Sequence, residues 1–565
     1  MKHKKNELFK FFFKYQKKYL HIAIVTAFLL LLYVLLQLPM PLVTRYLIDN
    51  IIPSKDFRAL NLLCLALLMV IIIRHLSNYF MQYLIAKYKA KVHFDMERDL
   101  YFHVQELPLQ YFTRKHSGYI LSRISEISSV EAVMADTFLF IIKDALTIIV
   151  GAILILKLHL MLGLISLLLL PFFVFTLKSF HKKIKSVNKE LREENAQYYG
   201  KLEKNIDAIE KIKSAVIEET AGKRISAKLL KVIELSFKSN LINALATTLA
   251  SFIGMIAPFI VLWYGVSEII RGNLTLGTFV AINSFIGYLF NPARQLTNTG
   301  YSISRALAGL ERIYELFKEK EELKVGEPIQ TINSIEFRNV EFAYEGNEPV
   351  LKNLNLKINR GEKIALVGES GEGKSTLVKM IMKYYIPTNG EIYLSGKNSS
   401  DFEVKSIRKK IAYISQRQTI LEDVFMDRIK DEQVINLLKK LKFEKSINEI
   451  NPTPHQKEFS GGEAQKIEIM ESLLKDADML IIDEGTSNID FNAERIALKE
   501  LLKKYQHKII IFIAHRLTSI TDFERIIVID DGQILEEGNH ESLIKKEGKY
   551  FSLWGKQKEK NSPYY

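Results

Sequence analysis

Cysteine is nearly absent from this chain: its 565 residues contain one, Cys64, set inside an apolar run. That excludes an intrachain disulfide and any cysteine-based metal cluster. Acidic residues are scarce at the start, where residues 1–19 carry seven lysines and one glutamate. Charge of either sign is missing from long stretches before residue 310, whereas the remainder is an ordinary soluble mixture. Also missing from that later half is a basic stripe interleaved with aromatics. Its absence sets nucleic acid aside as a partner, although the net charge is +14 and phosphate binding draws on such charge.

What the first half does have is apolar length. A helix needs about 20 mostly apolar residues to cross the hydrocarbon core of a bilayer. Six segments qualify: 20–44, 59–81, 137–156, 158–177, 241–265 and 275–292. The run from Leu20 is too long and too weakly terminated for a cleaved signal peptide, so it is expected to remain as a span. Polar helical stretches are expected between the second and third spans (84–130) and between the fourth and fifth (178–240). Residues 178–240 hold fifteen Lys and Arg, and the short connections hold very few. The excess of cations on one side places both termini and both long connections in the cytoplasm, with membrane lipid as a partner.

Residues 1–19, with Phe9, Phe11, Phe12 and Phe13 among lysines, are expected to form an interfacial elbow helix. Pro39, Pro41, Pro171, Pro258 and Pro292 are expected to interrupt the spans, which is tolerated where neighbouring helices or a cavity satisfy the backbone. Arg45, Arg74, Lys143, Asp144 and Arg294 lie in or near spans, where ionisable groups either line a path or brace helix pairs.

The second half carries a phosphate-binding pattern. Ile364 to Val367 form an apolar strand that runs into Gly368, Glu369, Ser370, Gly371, Glu372, Gly373, Lys374, Ser375 and Thr376, after which a helix begins. Glycines let the backbone fold around phosphate with its amides inward, and the helix N-terminus adds a favourable dipole. Lys374 is expected to reach the β- and γ-phosphates, and the Ser375 hydroxyl to bind Mg²⁺. Further on, Met479 to Ile482 form an apolar run ending in Asp483 and Glu484. A buried parallel strand would deliver both acids to the C-terminal edge of a sheet. There Asp483 can orient the magnesium shell, and Glu484 can position or deprotonate the attacking water.

A third element, Phe459-Ser460-Gly461-Gly462-Glu463, precedes a helix. With it the chain closely resembles the ABC transporter family, whose signature reads Leu-Ser-Gly-Gly-Gln. The resemblance extends in register: Tyr344 looks like the adenine-stacking aromatic and Gln416 like the lid glutamine that shares in catalysis and in binding the metal. Ser487 to Asp490 look like the interface loop, and His515 like the switch histidine. Singly, Tyr344 reads as a core aromatic, Gln416 as a surface amide and His515 as a strand-end histidine. In the membrane half, Glu106 to Phe112 with Gly118 to Arg123, and Glu203 to Glu219, are similar to the coupling segments of multidrug and peptide exporters.

The resemblance implies a multidomain fold: an N-terminal six-helix all-α transmembrane domain (20–320), a linker (321–334), and a C-terminal α/β P-loop ATPase domain (335–565) with a small, trimmed helical subdomain. It implies a half transporter in a bacterial cytoplasmic membrane, with ATP and Mg²⁺ as cofactors. A second copy of the chain, or a related half transporter, would complete each ATP site through Ser460, Gly461, Gly462 and Glu463. ATP hydrolysis would drive export of a peptide, a lipid or a hydrophobic small molecule by alternating access. The competing reading is an ATP-gated channel or sensor with little turnover. Two departures stand out. Only 43 residues separate Gln416 from Ser460, and Glu463 places an acid where the family has a neutral amide.

Overall fold

A computed structural model of the chain describes residues 2–115, 117–322, 326–344, 348–416, 432–441, 443, 459–483, 491–514 and 517–560. The chain divides into two compact units: Met1–Gln105 with Ser117–Glu319, and Glu106–His116 with Lys320–Tyr565.

The first unit is helical. Its long helices are Phe57–Gln105, Ser117–Leu158, Leu160–Asp207, Glu218–Ile270 and Leu276–Phe317, of 49, 42, 48, 53 and 42 residues. At about 1.5 Å per residue they are roughly 60 to 80 Å long, at least twice the ~30 Å hydrocarbon core. The expected polar stretches are helical, and in these long helices the apolar part runs unbroken into the polar part. The extensions are rich in Lys, Glu, Leu and Ala, good helix formers, so nothing at the apolar boundary stops the helix.

Four helices among the described residues are long and apolar enough to cross a bilayer: Leu20–Ser54, Phe57–Gln105, Leu139–Leu158 and Glu218–Ile270. The other two expected spans are weaker. Leu160–Thr176 is a shorter apolar run, and Thr278, Asn283, Ser284 and Asn291 dilute the start of Leu276–Phe317. No residue in the apolar window of Phe57–Gln105 is buried within the chain, which leaves a surface that lipid or another protein must cover.

The prolines also depart from expectation. Pro171, Pro258 and Pro292 sit inside continuous helices, each costing the backbone one hydrogen bond. Pro39 alone marks a break, at the start of the helix Pro39–Tyr46, where its missing N–H costs nothing.

Of the charges near the spans, Arg74 donates to the Tyr33 hydroxyl at 3.1 Å and lies over that ring, bracing two helices. Lys143 pairs with buried Asp144 at 3.2 Å, Arg45 lies 3.8 Å from Asp49, and Arg294 is exposed. Asp49 also accepts from Gly277 N–H at 2.8 Å and Thr275 Oγ1 at 2.6 Å. The approach is so close that a Cβ on Gly277 would lie 2.5 Å from the Arg45 carbonyl. The helix Lys2–Lys17 is amphipathic, with Phe12 and Tyr15 buried and Phe9 and Phe13 exposed.

The second unit is built on two sheets. Strands β1 (Ser334–Ala343), β2 (Pro349–Asn359), β4 (Asn389–Leu394) and β5 (Lys397–Asn398) form an antiparallel sheet in the order β2-β1-β4-β5. Strands β3 (Lys363–Val367), β6 (Ile411–Ile414), β7 (Met479–Asp483), β8 (Ile509–Ile513), β9 (Arg525–Asp530) and β10 (Gln533–Gly538) form the other, in the order β10-β9-β3-β8-β7-β6. Its strands from β9 to β6 are parallel, and β7 and β8 are buried throughout. Near-continuous Ile and Leu in those strands is what burial on both faces requires. The segment Glu106–His116 belongs to this unit. Lys405 Nζ donates to Glu106 Oε1 at 2.7 Å, and Glu322 N–H to the Glu106 carbonyl at 2.8 Å.

Candidate nucleotide site

The site grows from β3, which lies inside the parallel sheet between β9 and β8. At its end the chain must turn without a side chain, because a Cβ on Gly368 would lie 2.3 Å from the Ile529 carbonyl oxygen. Gly373 has φ of +93°, a left-handed conformation open to glycine, and caps the helix Lys374–Ile381. The loop therefore ends with backbone amides at a helix N-terminus, a ready anion site.

Lys374 is buried, and its Nζ donates to the carbonyls of Gly368 at 2.9 Å and Glu369 at 2.6 Å. The ammonium is thus held over the loop it serves. Ser375 Oγ donates to Asp483 Oδ1 at 3.2 Å, bringing together a hydroxyl and a carboxylate that lie 108 residues apart in the chain. The Thr376 hydroxyl is 2.9 Å from the Tyr344 hydroxyl. Tyr344 packs edge-on against Phe342 and Tyr385, so the expected stacking aromatic is tied to both the core and the loop. Ser370 and Gly371 are exposed, Glu372 is half-buried, and Glu369 pairs with Lys556 at 3.1 Å. Gln416 is exposed, two residues past β6. Glu484, Ser487 to Asp490 and His515 lie outside the described residues.

Sequence reasoning missed Tyr413. Its hydroxyl donates to Asp483 Oδ2 at 3.3 Å, so Asp483 is held by donors from two elements. Burial and the neighbouring carboxylate push the Tyr413 hydroxyl above its ordinary pKa, which keeps it a donor. The signal was one polar atom within the apolar strand Ile411-Ala412-Tyr413-Ile414.

Ser460 caps the helix Gly461–Leu474. Glu463 reaches back to accept from Ser460 N–H at 2.8 Å and Ser460 Oγ at 2.9 Å, and Glu463 N–H donates to Ser460 Oγ at 3.3 Å. These bonds form a capping box. The carboxylate already takes the Ser460 donors, leaving the amides of Gly461 and Gly462 at the helix end. Replacing Glu463 with Gln keeps a capping acceptor and removes one negative charge. Glu463→Gln should therefore bind ATP as tightly or up to roughly fivefold tighter, as removing about 1 kcal/mol of like-charge repulsion would allow. Titration with a fluorescent ATP analogue checks this, and a clear fall in affinity would show that the acid is needed.

Comparison with known proteins places the chain in a family. The family model for the ABC transporter transmembrane region matches residues 23–293, and the ABC transporter model matches 351–487. The chain is similar to the ATP-dependent lipid A-core flippase of Syntrophus aciditrophicus, with 28% identity over 90% of this chain and 87% of that one. It is likewise similar to YgaD of Bacillus subtilis, named for multidrug export, at 28% identity over 96% and 98%. A third relative is the transport/processing ATP-binding protein ComA of Streptococcus pneumoniae, at 29% identity over 90% and 73%. Its fold matches that of a bacterial Atm1-family ABC exporter solved with ATP bound, with a TM-score of 0.80, 20% identity and coverage of 95% and 98%. The chain belongs to the ABC transporter family as an exporter-type half transporter, a multipass membrane protein whose fused ATP-binding domain is an ATPase coupled to transport.

Proposed function

We propose that two copies of this chain form a homodimeric exporter in a bacterial cytoplasmic membrane, with the ATPase units on the cytoplasmic side. The observation that carries the reading is the meeting of Ser375 and Asp483 at the mouth of the Gly368–Thr376 loop. A hydroxyl beside a carboxylate offers the hard oxygen donors that Mg²⁺ prefers, so these residues fit the metal. Ser375 would hold it directly, with Asp483 and Gln416 completing its surroundings. When bound, Mg²⁺ neutralises charge on the β- and γ-phosphate oxygens.

The chain's own residues do the rest. Lys374 exchanges its two loop carbonyls for phosphate oxygens, Tyr344 flanks the base, and Glu484 holds the attacking water with His515 nearby. The signature residues Ser460 to Glu463 of one copy close on the γ-phosphate bound to the other. Closure with ATP and release after hydrolysis would switch the helices between inward- and outward-open forms by rigid-body motion.

For cargo we favour a peptide slightly over a lipid or a hydrophobic small molecule, in keeping with the resemblance to peptide exporters. A heterodimeric half transporter is the second reading. It draws support from Glu463, whose hold on Ser460 would favour a partner with a neutral signature. The test is reconstitution of the full chain alone in proteoliposomes, with ATPase rate and ATP-dependent uptake into inside-out vesicles measured for a hydrophobic peptide, a phospholipid and a lipophilic dye. The homodimer reading expects one class both to raise ATPase and to accumulate. ATP turnover without accumulation of any class would point to a channel or sensor, and absent turnover to a missing partner chain.

A further inference from the structure

One carboxylate in the second unit belongs to none of the motifs above. Glu468 lies on the helix Gly461–Leu474, two turns beyond the signature. Its Oε1 accepts both from Ser415 N–H at 3.0 Å and from Ser415 Oγ at 2.8 Å. Two donors from one residue fix that residue's backbone direction as well as its position. Ser415 is the first residue after β6, and Gln416 follows it directly.

The other oxygen, Oε2, is buried and has no hydrogen-bond partner among the described residues. Burial pushes the Glu468 carboxyl above its ordinary pKa, and the Ser415 donors oppose that shift. An acid kept where one oxygen is unsatisfied costs stability, and an alanine here would avoid that cost. A cavity of about 450 Å³, lined by Tyr413, Glu468, Glu471 and Lys475 among others, opens beside it. Among the described residues, the Ser415 bonds are therefore what hold the carboxylate.

We infer that Glu468 is a positioning residue that locks the lid glutamine Gln416 to the signature helix, so that movement of Ser460 onto a partner's ATP carries Gln416 toward the metal bound in its own subunit. This rests on the reading of Gln416 as a metal-binding lid residue. Glu468 lies eight residues from Ser460, about 12 Å along a single helix, short enough to move as one body. The linkage lies wholly within one chain. It makes metal engagement depend on signature docking, and it requires an acceptor oxygen at position 468 rather than a charge.

The experiment is steady-state ATPase of the reconstituted full chain at saturating ATP against free Mg²⁺, for Glu468→Ala, Glu468→Gln, Ser415→Ala and Gln416→Ala. Removing the outer support of a metal-binding group weakens metal engagement or activity by about 10- to 100-fold. Glu468→Ala should therefore raise the half-saturating Mg²⁺ concentration and lower kcat within that range, while metal-free binding of a fluorescent ATP analogue stays at the parent level. Glu468→Gln, which keeps the acceptor oxygen, should restore most of both. Ser415→Ala should shift Mg²⁺ dependence in the same direction by less, and it decides the matter if Glu468→Ala does not fold. A raised Mg²⁺ requirement in Gln416→Ala but not in Glu468→Ala or Ser415→Ala overturns the positioning role and leaves the lid reading standing. Parent-like Mg²⁺ dependence in all of them overturns both. An equal loss in Glu468→Ala and Glu468→Gln also overturns the positioning role, because charge would then matter and not the bond.

Discussion

Glu484→Gln protein should bind ATP as the parent does and hydrolyse it at least about a hundredfold more slowly, the lower end of what a positioned general base contributes. Glu484 directly follows Asp483, the last residue of β7, whose carboxylate bonds Ser375 of the phosphate loop. The chain thus leaves the sheet where the γ-phosphate would lie. Glutamine matches glutamate in shape but cannot take a proton from water. Binding energy should survive, hydrolysis should stop, and ATP should remain trapped. Retention of labelled nucleotide after gel filtration, beside phosphate release in detergent, separates the two effects. Unchanged release would remove Glu484 from the mechanism.

Lys374→Ala should fail at the earlier step. The buried ammonium rests on the carbonyls of Gly368 and Glu369 and can pass to phosphate oxygens with little motion. Hydrogen bonds to charged groups are worth about 1.5–3 kcal/mol, so ATP should bind roughly 10- to 150-fold more weakly. The discriminating control is AMP, which lacks the β- and γ-phosphates and should bind both proteins alike. Equal weakening of AMP and ATP would mean that the loop had collapsed rather than that a phosphate contact was lost.

The parts legible in the sequence are those whose chemistry is local. β3, the glycine loop and the helix after it follow one another without interruption, and glycine at 368 and 373 is demanded by a close carbonyl and a positive φ. The apolar strand ending in Asp483 could be read in the same way. Helix length was less legible, because the apolar pattern stops at the membrane boundary while the backbone preference for helix does not. Three interior prolines marked breaks that the long helices absorb. The capping box was legible as Ser-x-x-Glu, the same residues that likeness to a signature ending in Gln reads as facing phosphate. Tyr413 and Glu468 could not be found from spacing, since their partners Asp483 and Ser415 lie 70 and 53 residues away. Tyr344 illustrates the remainder: its identity fits an adenine platform, but its hydroxyl contact with Thr376 depends on how β1 packs beside the loop.

If one chain holds two halves of different sites, it should not turn over alone. Nanodiscs carrying the full chain can be sorted by native mass into particles with one copy and particles with two, and ATPase measured per chain in each. Turnover should be confined to two-copy particles, with one-copy particles binding ATP but releasing no phosphate. Equal per-chain turnover in one-copy particles would contradict it.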